Sequence, residues 1–145
     1  MTPEKKIAIL QASYAAFNAG PDLDALLQLY DPECEWVMAS EGAAFGHGRF
    51  LGHEGLRQFS SVLEDAMAVL SSWRVLIDEV RAMPCGSVLI RGHTTARWIA
   101  SDNAAGTMER PIWQQVDFRG DRILRVIQRD EPPAAWHQAE RVASY

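Results

Sequence analysis

The sequence predicts an α+β protein in which three helices precede a series of antiparallel strands. Up to about residue 70, apolar residues recur every three or four positions, as they do on one face of a helix. From Ser72 onward the apolar residues alternate with a period of two, which is typical of half-buried strands, and helical patterning disappears. Helices followed by consecutive strands are typical of the α+β class.

The first two helices have recognisable ends. Thr2 is a suitable N-cap with a proline directly after it, and the segment 18–20, which ends in glycine, closes this helix. Asp22 is a suitable cap for the second helix. That helix ends at Asp31-Pro32, because the residue before a proline disfavours the helical conformation.

The remaining elements follow from the same two periods. We expect a strand from Cys34 to Ala39, a glycine-rich loop from Glu41 to Leu51 and a third helix from about Gly52 to Leu70. Four strands are predicted after it, at 73–83, 87–99, 107–118 and 122–130. The segments 84–86, 101–106 and 119–121 have the composition of hairpin turns, so the strands should form an antiparallel meander. Residues 132–138 predict either a short last helix anchored by Trp136 or a loosely docked terminus.

Composition excludes several classes of function. A chain of 145 residues predicts one domain over residues 1–145, with a core that needs no metal or disulfide, so Cys34 and Cys85 are expected to be buried free thiols. The net charge is −5 with scattered basic residues, which argues against a nucleic-acid partner. No apolar segment reaches the roughly 20 residues of a membrane helix, and no signal peptide is evident, so a cytoplasmic protein without a membrane partner is expected.

Three segments carry a resemblance to a known superfamily. They are LDALLQLYDPECEW from Leu23 to Trp36, GHEGLRQF from Gly52 to Phe59 and VDFRGDRI from Val116 to Ile123. In this order and chain length they resemble the NTF2-like superfamily, and within it the SnoaL-like group that includes small polyketide cyclases. The resemblance covers nearly the whole chain. It implies a cystatin-like α+β cone, in which a curved antiparallel sheet wraps three helices and leaves a ligand pocket at its open end.

The superfamily does not fix one activity. Its members include ketosteroid isomerases, scytalone dehydratases, limonene-type epoxide hydrolases and polyketide cyclases, and others only bind a ligand. The segment 11–20 looks like the first helix of ketosteroid isomerase, but the positions of that family's tyrosine, aspartate base and protonated aspartic acid fall on Ser13, Met38 and Gln114. Methionine cannot accept a proton from carbon, so isomerase activity of that kind is not expected.

The epoxide hydrolase pattern fits the sequence better. Its Arg-x-Asp strand corresponds to Arg91-Gly92-His93, and its second aspartate corresponds to Asp130. Because residues of one parity share one face of a strand, we expect His93 and Asp130 to form an acid–base pair, with Arg91 as an electrostatic clamp. The alternative is a structural hydrogen-bonded pair, with Arg91 in a buried ion pair.

The predicted pocket is apolar. Either Gln114 or Gln115 is expected to donate a hydrogen bond to the ligand. The remaining substrate-binding candidates are aromatic side chains that either line the pocket or fill the core: Tyr14, Tyr30, Trp36, Trp98 and Trp113.

Two functions follow from this pocket. The first is an enzyme performing acid–base chemistry without a cofactor or metal on a small apolar or aromatic molecule, as a cyclase, isomerase, lyase or epoxide hydrolase-like protein. The second is a non-catalytic ligand-binding domain. Apolar residues on both faces of the strands at 87–99 and 107–118 further predict a homodimer that associates through the sheet.

Overall fold

The computed structural model describes residues 1–39, 48–98 and 107–145. The helices are α1 (Pro3–Asn18), α2 (Leu23–Leu29) and α3 (Gly52–Met67), with a 3-10 helix at Ala134–Gln138. The strands are β1 (Tyr30–Met38), β2 (Gly48–Leu51), β3 (Leu70–Ala82), β4 (Val88–Trp98), β5 (Thr107–Arg119), β6 (Arg122–Arg129) and β7 (Glu140–Ser144). The predicted α+β class is confirmed.

The described strands form one sheet in the order β2-β1-β6-β5-β4-β3-β7. The predicted antiparallel meander from β3 to β6 is confirmed. The sheet as a whole is mixed, since β1 runs parallel to β6, and the expectation of a wholly antiparallel sheet is corrected here. The alternating pattern that identifies a strand does not specify the partner or the direction of pairing.

Caps and turns agree with the sequence analysis. The Thr2 hydroxyl accepts a hydrogen bond from the backbone N–H of Lys5, and the Asp22 carboxylate accepts one from that of Ala25. Two predicted turns contain glycines with positive φ, Gly86 at 96° and Gly120 at 60°. The third predicted turn, at 101–106, and most of the predicted loop from Glu41 to Leu51 lie outside the described residues, although the end of that loop forms β2.

The core fills the space between the three helices and one face of the sheet, which we call the inner face. Its fully buried members come from α1, α2 and α3 and from the central strands, for example Leu10, Leu26, Leu63, Ile90 and Val116. This arrangement confirms the helical stripes predicted from the spacing of apolar residues. Cys34 is buried as expected, but Cys85 is exposed in the β3–β4 turn, which corrects the prediction for that thiol.

The chain ends on the edge of the sheet. Trp136 is buried and anchors the predicted last helix, and β7 then pairs with β3. Arg81 of β3 donates a hydrogen bond to the carbonyl of Trp136 and stacks on its ring at 4.2 Å. The alternative of a loosely docked terminus is therefore wrong. No helix within the described part of the chain is long and apolar enough to cross a membrane.

Strand β3 carries a register irregularity between Ile77 and Glu79, and an irregularity of this kind bends a strand. Gly92 pairs with Ile77 beside this position, and a Cβ atom at Gly92 would lie 2.4 Å from the carbonyl oxygen of Leu76. Only glycine allows this approach of two backbones without displacing one of them.

Candidate functional site

A cavity of about 60 Å³ lies between α1, α3 and the inner face of the sheet. Because a single water needs roughly 10–15 Å³ on such a measure, this space holds several waters or a small organic molecule. The lining residues come from two helices, five strands and the position directly after β6: Tyr14, Phe17, Trp36, Met38, Phe59, Trp73, Val75, Thr94, Met108, Arg110, Ile112, Gln114, Gln128 and Asp130.

Three aromatic side chains form one wall of the cavity. Trp36 and Phe59 are stacked, with ring centroids 5.3 Å apart and an angle of 19° between the planes. Phe17 meets both rings edge to face, at 5.9 Å from Trp36 and 5.6 Å from Phe59. This rigid aromatic surface favours a flat apolar ligand.

The sheet side of the cavity carries a chain of neutral hydrogen bonds. The Tyr14 hydroxyl donates to Gln114 Oε1 at 2.5 Å, and Gln114 Nε2 donates to Gln128 Oε1 at 2.9 Å. Burial is the main cause of a strongly raised pKa for Tyr14, so this phenol keeps its proton. The three side chains therefore form a polar but uncharged surface within an apolar cavity.

An ion pair lies beside this uncharged surface. Arg110 Nη2 lies 3.7 Å from Asp130 Oδ1, and the two side chains are 31% and 38% exposed. Both are more accessible than the buried Gln114, so they mark the solvent-facing part of the cavity. A carboxylate in this position is within reach of both a bound ligand and solvent, which a group that exchanges protons requires.

The structure places four of the sequence-predicted residues in the lining: Asp130, Tyr14, Trp36 and Gln114. Tyr30 is instead buried in the core, where its hydroxyl lies 2.9 Å from that of Ser13 and burial raises its pKa to about 12. Trp98 is 47% exposed at the end of β4, outside the described lining. Of the positions compared with ketosteroid isomerase, Met38 and Gln114 line the cavity, whereas Ser13 is buried against Tyr30.

His93 and Asp130 do not form the predicted pair. His93 Nδ1 lies 2.8 Å from Asp78 Oδ2, and Arg91 lies 4.0 Å from Glu79. The reason is the strand register: His93 pairs with Pro111, whose neighbours in β5 at 110 and 112 line the cavity. His93 and Arg91 therefore lie on the opposite side of the sheet, which we call the outer face.

Trp113 and Gln115 share this outer face. Trp113 pairs with Arg91 and Gln115 pairs with Leu89, and both residues alternate with the cavity-lining Gln114. The prediction that Trp113 lines the pocket is corrected, and of the two candidate glutamines Gln114 is the one that faces the cavity. Single-strand parity leaves two choices for each strand, and only the pairing of several strands decides between them.

Sequence reasoning missed Arg110 and Gln128 as site residues. Arg110 shares its parity with Gln114, so the choice of Gln114 as a ligand contact could have identified it. Gln128 stands two residues before Asp130 and could have been found in the same way. Their position beside Gln114 depends on the pairing of Gln114 with Gln128 across β5 and β6, and the sequence alone does not reveal this pairing.

The cavity residues include no cluster suited to a metal. Within the described residues, no group of three or more His, Cys, Asp or Glu side chains lies close enough to hold one. His53 shares a hydrogen bond of 2.9 Å with the carbonyl of Tyr30, and His47 falls outside the described residues. The groups that can act chemically at this site thus include a carboxylate, a guanidinium, a phenol, a threonine hydroxyl and two amides.

Comparison with protein families identifies the fold. The family described as the SnoaL-like domain matches residues 10–126. The chain belongs to this SnoaL-like family. The NTF2-like fold expected from the sequence is confirmed by solved structures of that type. No curated protein matches this chain at a significant level.

Three solved structures illustrate the range of SnoaL-like and related proteins. A protein proposed to be a polyketide cyclase, from Xanthomonas campestris, has 24% identity and a TM-score of 0.63, with 88% of this chain and 91% of that chain covered. TerC, co-crystallised with polyporic acid, has 23% identity and a TM-score of 0.67, with 92% and 96% covered. An LEH-like epoxide hydrolase from M. tuberculosis has 13% identity and a TM-score of 0.64, with 88% and 84% covered. At these identities the likeness shows the fold alone.

Proposed function

We propose that this SnoaL-like protein is an enzyme that performs cofactor-free acid–base chemistry on a small apolar or aromatic molecule held in the cavity. One observation carries the proposal: a carboxylate, Asp130, lies beside the guanidinium of Arg110 at a cavity that also has an aromatic wall. An apolar cavity with a few convergent polar groups is the usual form of a small-molecule site.

Each group has a role that its chemistry supports. Asp130 takes a proton from the ligand and later returns one. Arg110 stabilises the negative charge that develops on the ligand, and the amides of Gln114 and Gln128 provide a neutral polar surface beside it. Cyclisation, isomerisation, hydration and dehydration all begin or end with such a proton transfer, so the proposal is not restricted to one of them.

The proposal keeps Asp130 from the sequence-based site and replaces its partners. Arg110 takes the role of electrostatic clamp that the sequence assigned to Arg91, since only Arg110 lines the cavity. His93 has no role in it, because its ring is paired with Asp78 on the outer face. Proteins of this fold that were crystallised with polyporic acid or with trimethylamine support a small-molecule ligand by analogy of fold.

Hydrogen exchange of acetophenone in D₂O tests the proposal. This small aromatic ketone has a methyl group whose C–H proton a base can remove. Asp130 would take that proton while the C–H electron pair moves to the carbonyl oxygen as an enolate, and a deuteron from the exchanged carboxyl would then return to carbon. We expect the protein to accelerate loss of the methyl ¹H NMR signal, and Asp130→Asn to slow that loss by at least about 100-fold.

A matched variant provides the control. Asp121→Asn makes the same change in an exposed hairpin turn and should leave the exchange rate unchanged. Binding of acetophenone without accelerated exchange would favour the alternative, a non-catalytic ligand-binding domain. Absence of acetophenone binding at millimolar concentration would contradict the assignment of the cavity as the site.

We further propose that two copies of the chain associate through the outer face of the sheet. Fewer exposed apolar residues support this association than the sequence indicates, because Ile112 and Val116 lie in the core and Leu89 is fully buried within the chain. Trp113 supports it, since this large apolar side chain lies on the outer face and is only half-buried. A sedimentation mass near 16.2 kDa at micromolar concentration would contradict the dimer.

A further inference from the structure

Both ends of the Gln114 side-chain amide make hydrogen bonds. Its Oε1 accepts from the Tyr14 hydroxyl, and its Nε2 donates to Gln128 Oε1. The Gln114 side chain is buried, so a water molecule can take the place of either hydrogen-bond partner only if the cavity opens to solvent. A buried amide with both ends satisfied has one preferred orientation, because a flip would place donor against donor or acceptor against acceptor.

The direction of the chain is set at Tyr14. Its hydroxyl is buried and keeps its proton, so it offers Gln114 a donor. That donor selects the oxygen end of the Gln114 amide, and the nitrogen end then selects the oxygen end of the Gln128 amide. Gln128 Nε2 makes no hydrogen bond to any described residue, although Gln128 lines the cavity.

We propose that Tyr14 is a positioning residue that, through Gln114, holds the amide of Gln128 with its N–H group toward the ligand. The site therefore selects ligands that present a hydrogen-bond acceptor, and a carbonyl compound in particular, at this position. The inference rests on the proposed function only for the location of the ligand, and it adds the class of ligand that the cavity prefers. Tyr14 acts here without contacting the reacting atoms.

The physical basis is the orientation of one donor. A ligand carbonyl that accepts from Gln128 Nε2 replaces a hydrogen bond to water, whereas a ligand without an acceptor leaves that N–H unpaired in a small apolar cavity. If Tyr14 loses its hydroxyl, Gln114 can rotate, and Gln128 can then present either end of its amide. The preference should fall although Gln128, the donor to the ligand, has not been changed.

Two ligands of nearly equal shape test this directly. Acetophenone has a carbonyl oxygen where α-methylstyrene has a CH₂ group, so the ratio of their dissociation constants reports the acceptor. We expect Tyr14→Phe to lower the preference for acetophenone relative to α-methylstyrene by about fivefold compared with the parent protein, the amount of one ordinary hydrogen bond. Tyr30→Phe is the matched control, since Tyr30 is an equally buried tyrosine that is bonded to Ser13 and does not line the cavity.

A spectroscopic measurement distinguishes a changed orientation of the Gln128 amide from a general loss of structure in the variant. Acetophenone labelled with ¹³C at the carbonyl should show a downfield carbonyl shift when bound to the parent protein, because a hydrogen bond withdraws electron density from that carbon. The shift should move upfield in Tyr14→Phe and stay unchanged in Tyr30→Phe. Gln128→Leu removes the donor itself and should reproduce the Tyr14→Phe result, so the inference stays testable if one variant does not fold.

The outcomes distinguish this inference from the proposed function. An equal ratio of dissociation constants in the parent, Tyr14→Phe and Gln128→Leu proteins would overturn the inference and leave the acid–base role of Asp130 intact. The same conclusion would follow from an equal loss of preference in Tyr14→Phe and Tyr30→Phe. Failure of both ligands to bind the parent protein would overturn the proposed function as well.

Discussion

The two faces of the central strands hold their polar side chains in different ways. On the inner face, Tyr14, Gln114 and Gln128 form an uncharged chain of hydrogen bonds within an apolar cavity. On the outer face, Glu79 is only 6% exposed and accepts from Arg81 at 2.5 Å, with Arg141 at 3.2 Å.

This difference indicates that the two faces of the sheet have different roles. Neutral groups can be buried beside apolar side chains with a smaller desolvation penalty than charges, and they leave donors available to a ligand. The buried carboxylate of Glu79 needs its guanidinium partners, and those partners lie on β3 and on the C-terminal strand β7. The inner face therefore suits a ligand, whereas the outer face fastens the end of the chain.

The largest effect is expected for Phe59→Ala on the inner face. Phe59 packs against Trp36, Phe17 and Phe50, so its removal leaves a large void and should lower the free energy of unfolding by about 4 kcal/mol. Urea denaturation measures this. Val62→Ala, at an exposed position on the same helix, should change stability by no more than about 0.5 kcal/mol. Similar losses in the two variants would show that the aromatic wall is not tightly packed.

Glu79→Ala tests the outer face. It leaves Arg81 without its charge partner in a mostly buried position, and we expect the free energy of unfolding to fall by about 3 kcal/mol. Glu54→Ala breaks an exposed pair with Arg57 and should have an effect below about 1 kcal/mol. The ligand preference of folded Glu79→Ala should equal that of the parent. A change in that preference would contradict the separation of the two faces.

Gly92→Ala tests the bend that both faces share. The added Cβ would meet the carbonyl oxygen of Leu76 at 2.4 Å, so the strands must separate there. We expect a loss of about 2 kcal/mol in the free energy of unfolding, together with weaker acetophenone binding because Ile112 of the cavity lies next to the new methyl group. A variant as stable as the parent would show that the bend does not depend on glycine.

High pH should lower the free energy of unfolding. Burial raises the pKa of Tyr30 to about 12, above the value of about 10 in an unfolded chain. The stabilisation linked to this group is fully present below pH 10 and is lost as the pH rises toward 12. Unfolding measured in urea between pH 8 and 11 should show stability falling above pH 10, and less steeply in Tyr30→Phe. An equal slope in the variant would assign the fall to other groups.

The smallest effect is expected at low pH for Asp31, at the start of β1. Arg119 binds its carboxylate through two nitrogens, at 3.0 and 2.5 Å, and holds the pKa of Asp31 below its usual value. The stabilisation is present above the unfolded pKa of about 3.9 and is lost as the pH falls through the folded value. Asp31→Asn should therefore flatten the acid side of the stability profile, and Asp121→Asn should not.

Most local structure could be predicted because it depends on neighbouring residues. The Thr2 and Asp22 caps and the glycine turns at 86 and 120 all involve contacts within a few positions. The strand predicted at 107–118 is observed as Thr107–Arg119, and that at 122–130 as Arg122–Arg129. The third helix ends at Met67 rather than near Leu70, because Leu70 joins β3.

The site was only partly predictable. Asp130, Tyr14, Trp36 and Gln114 line the cavity, and their side chains come from four different parts of the chain. His93 was paired with Asp130 on parity alone, and parity permits either face for each strand. The register of β4 on β5 and of β5 on β6 then places the two residues on opposite faces.

The sequence by itself determined the fold class, the order of the helices and meander strands, and the set of residues able to act chemically, since period and composition are local properties of the chain. Tertiary structure alone decided which of those residues meet. The parallel pairing of β1 with β6, the irregularity at Ile77 to Glu79 and the contact of Tyr14 with Gln114 join residues far apart in the chain. Such contacts form because burying one face of each strand fixes a common register, and a shift by one residue would exchange the cavity for the outer face.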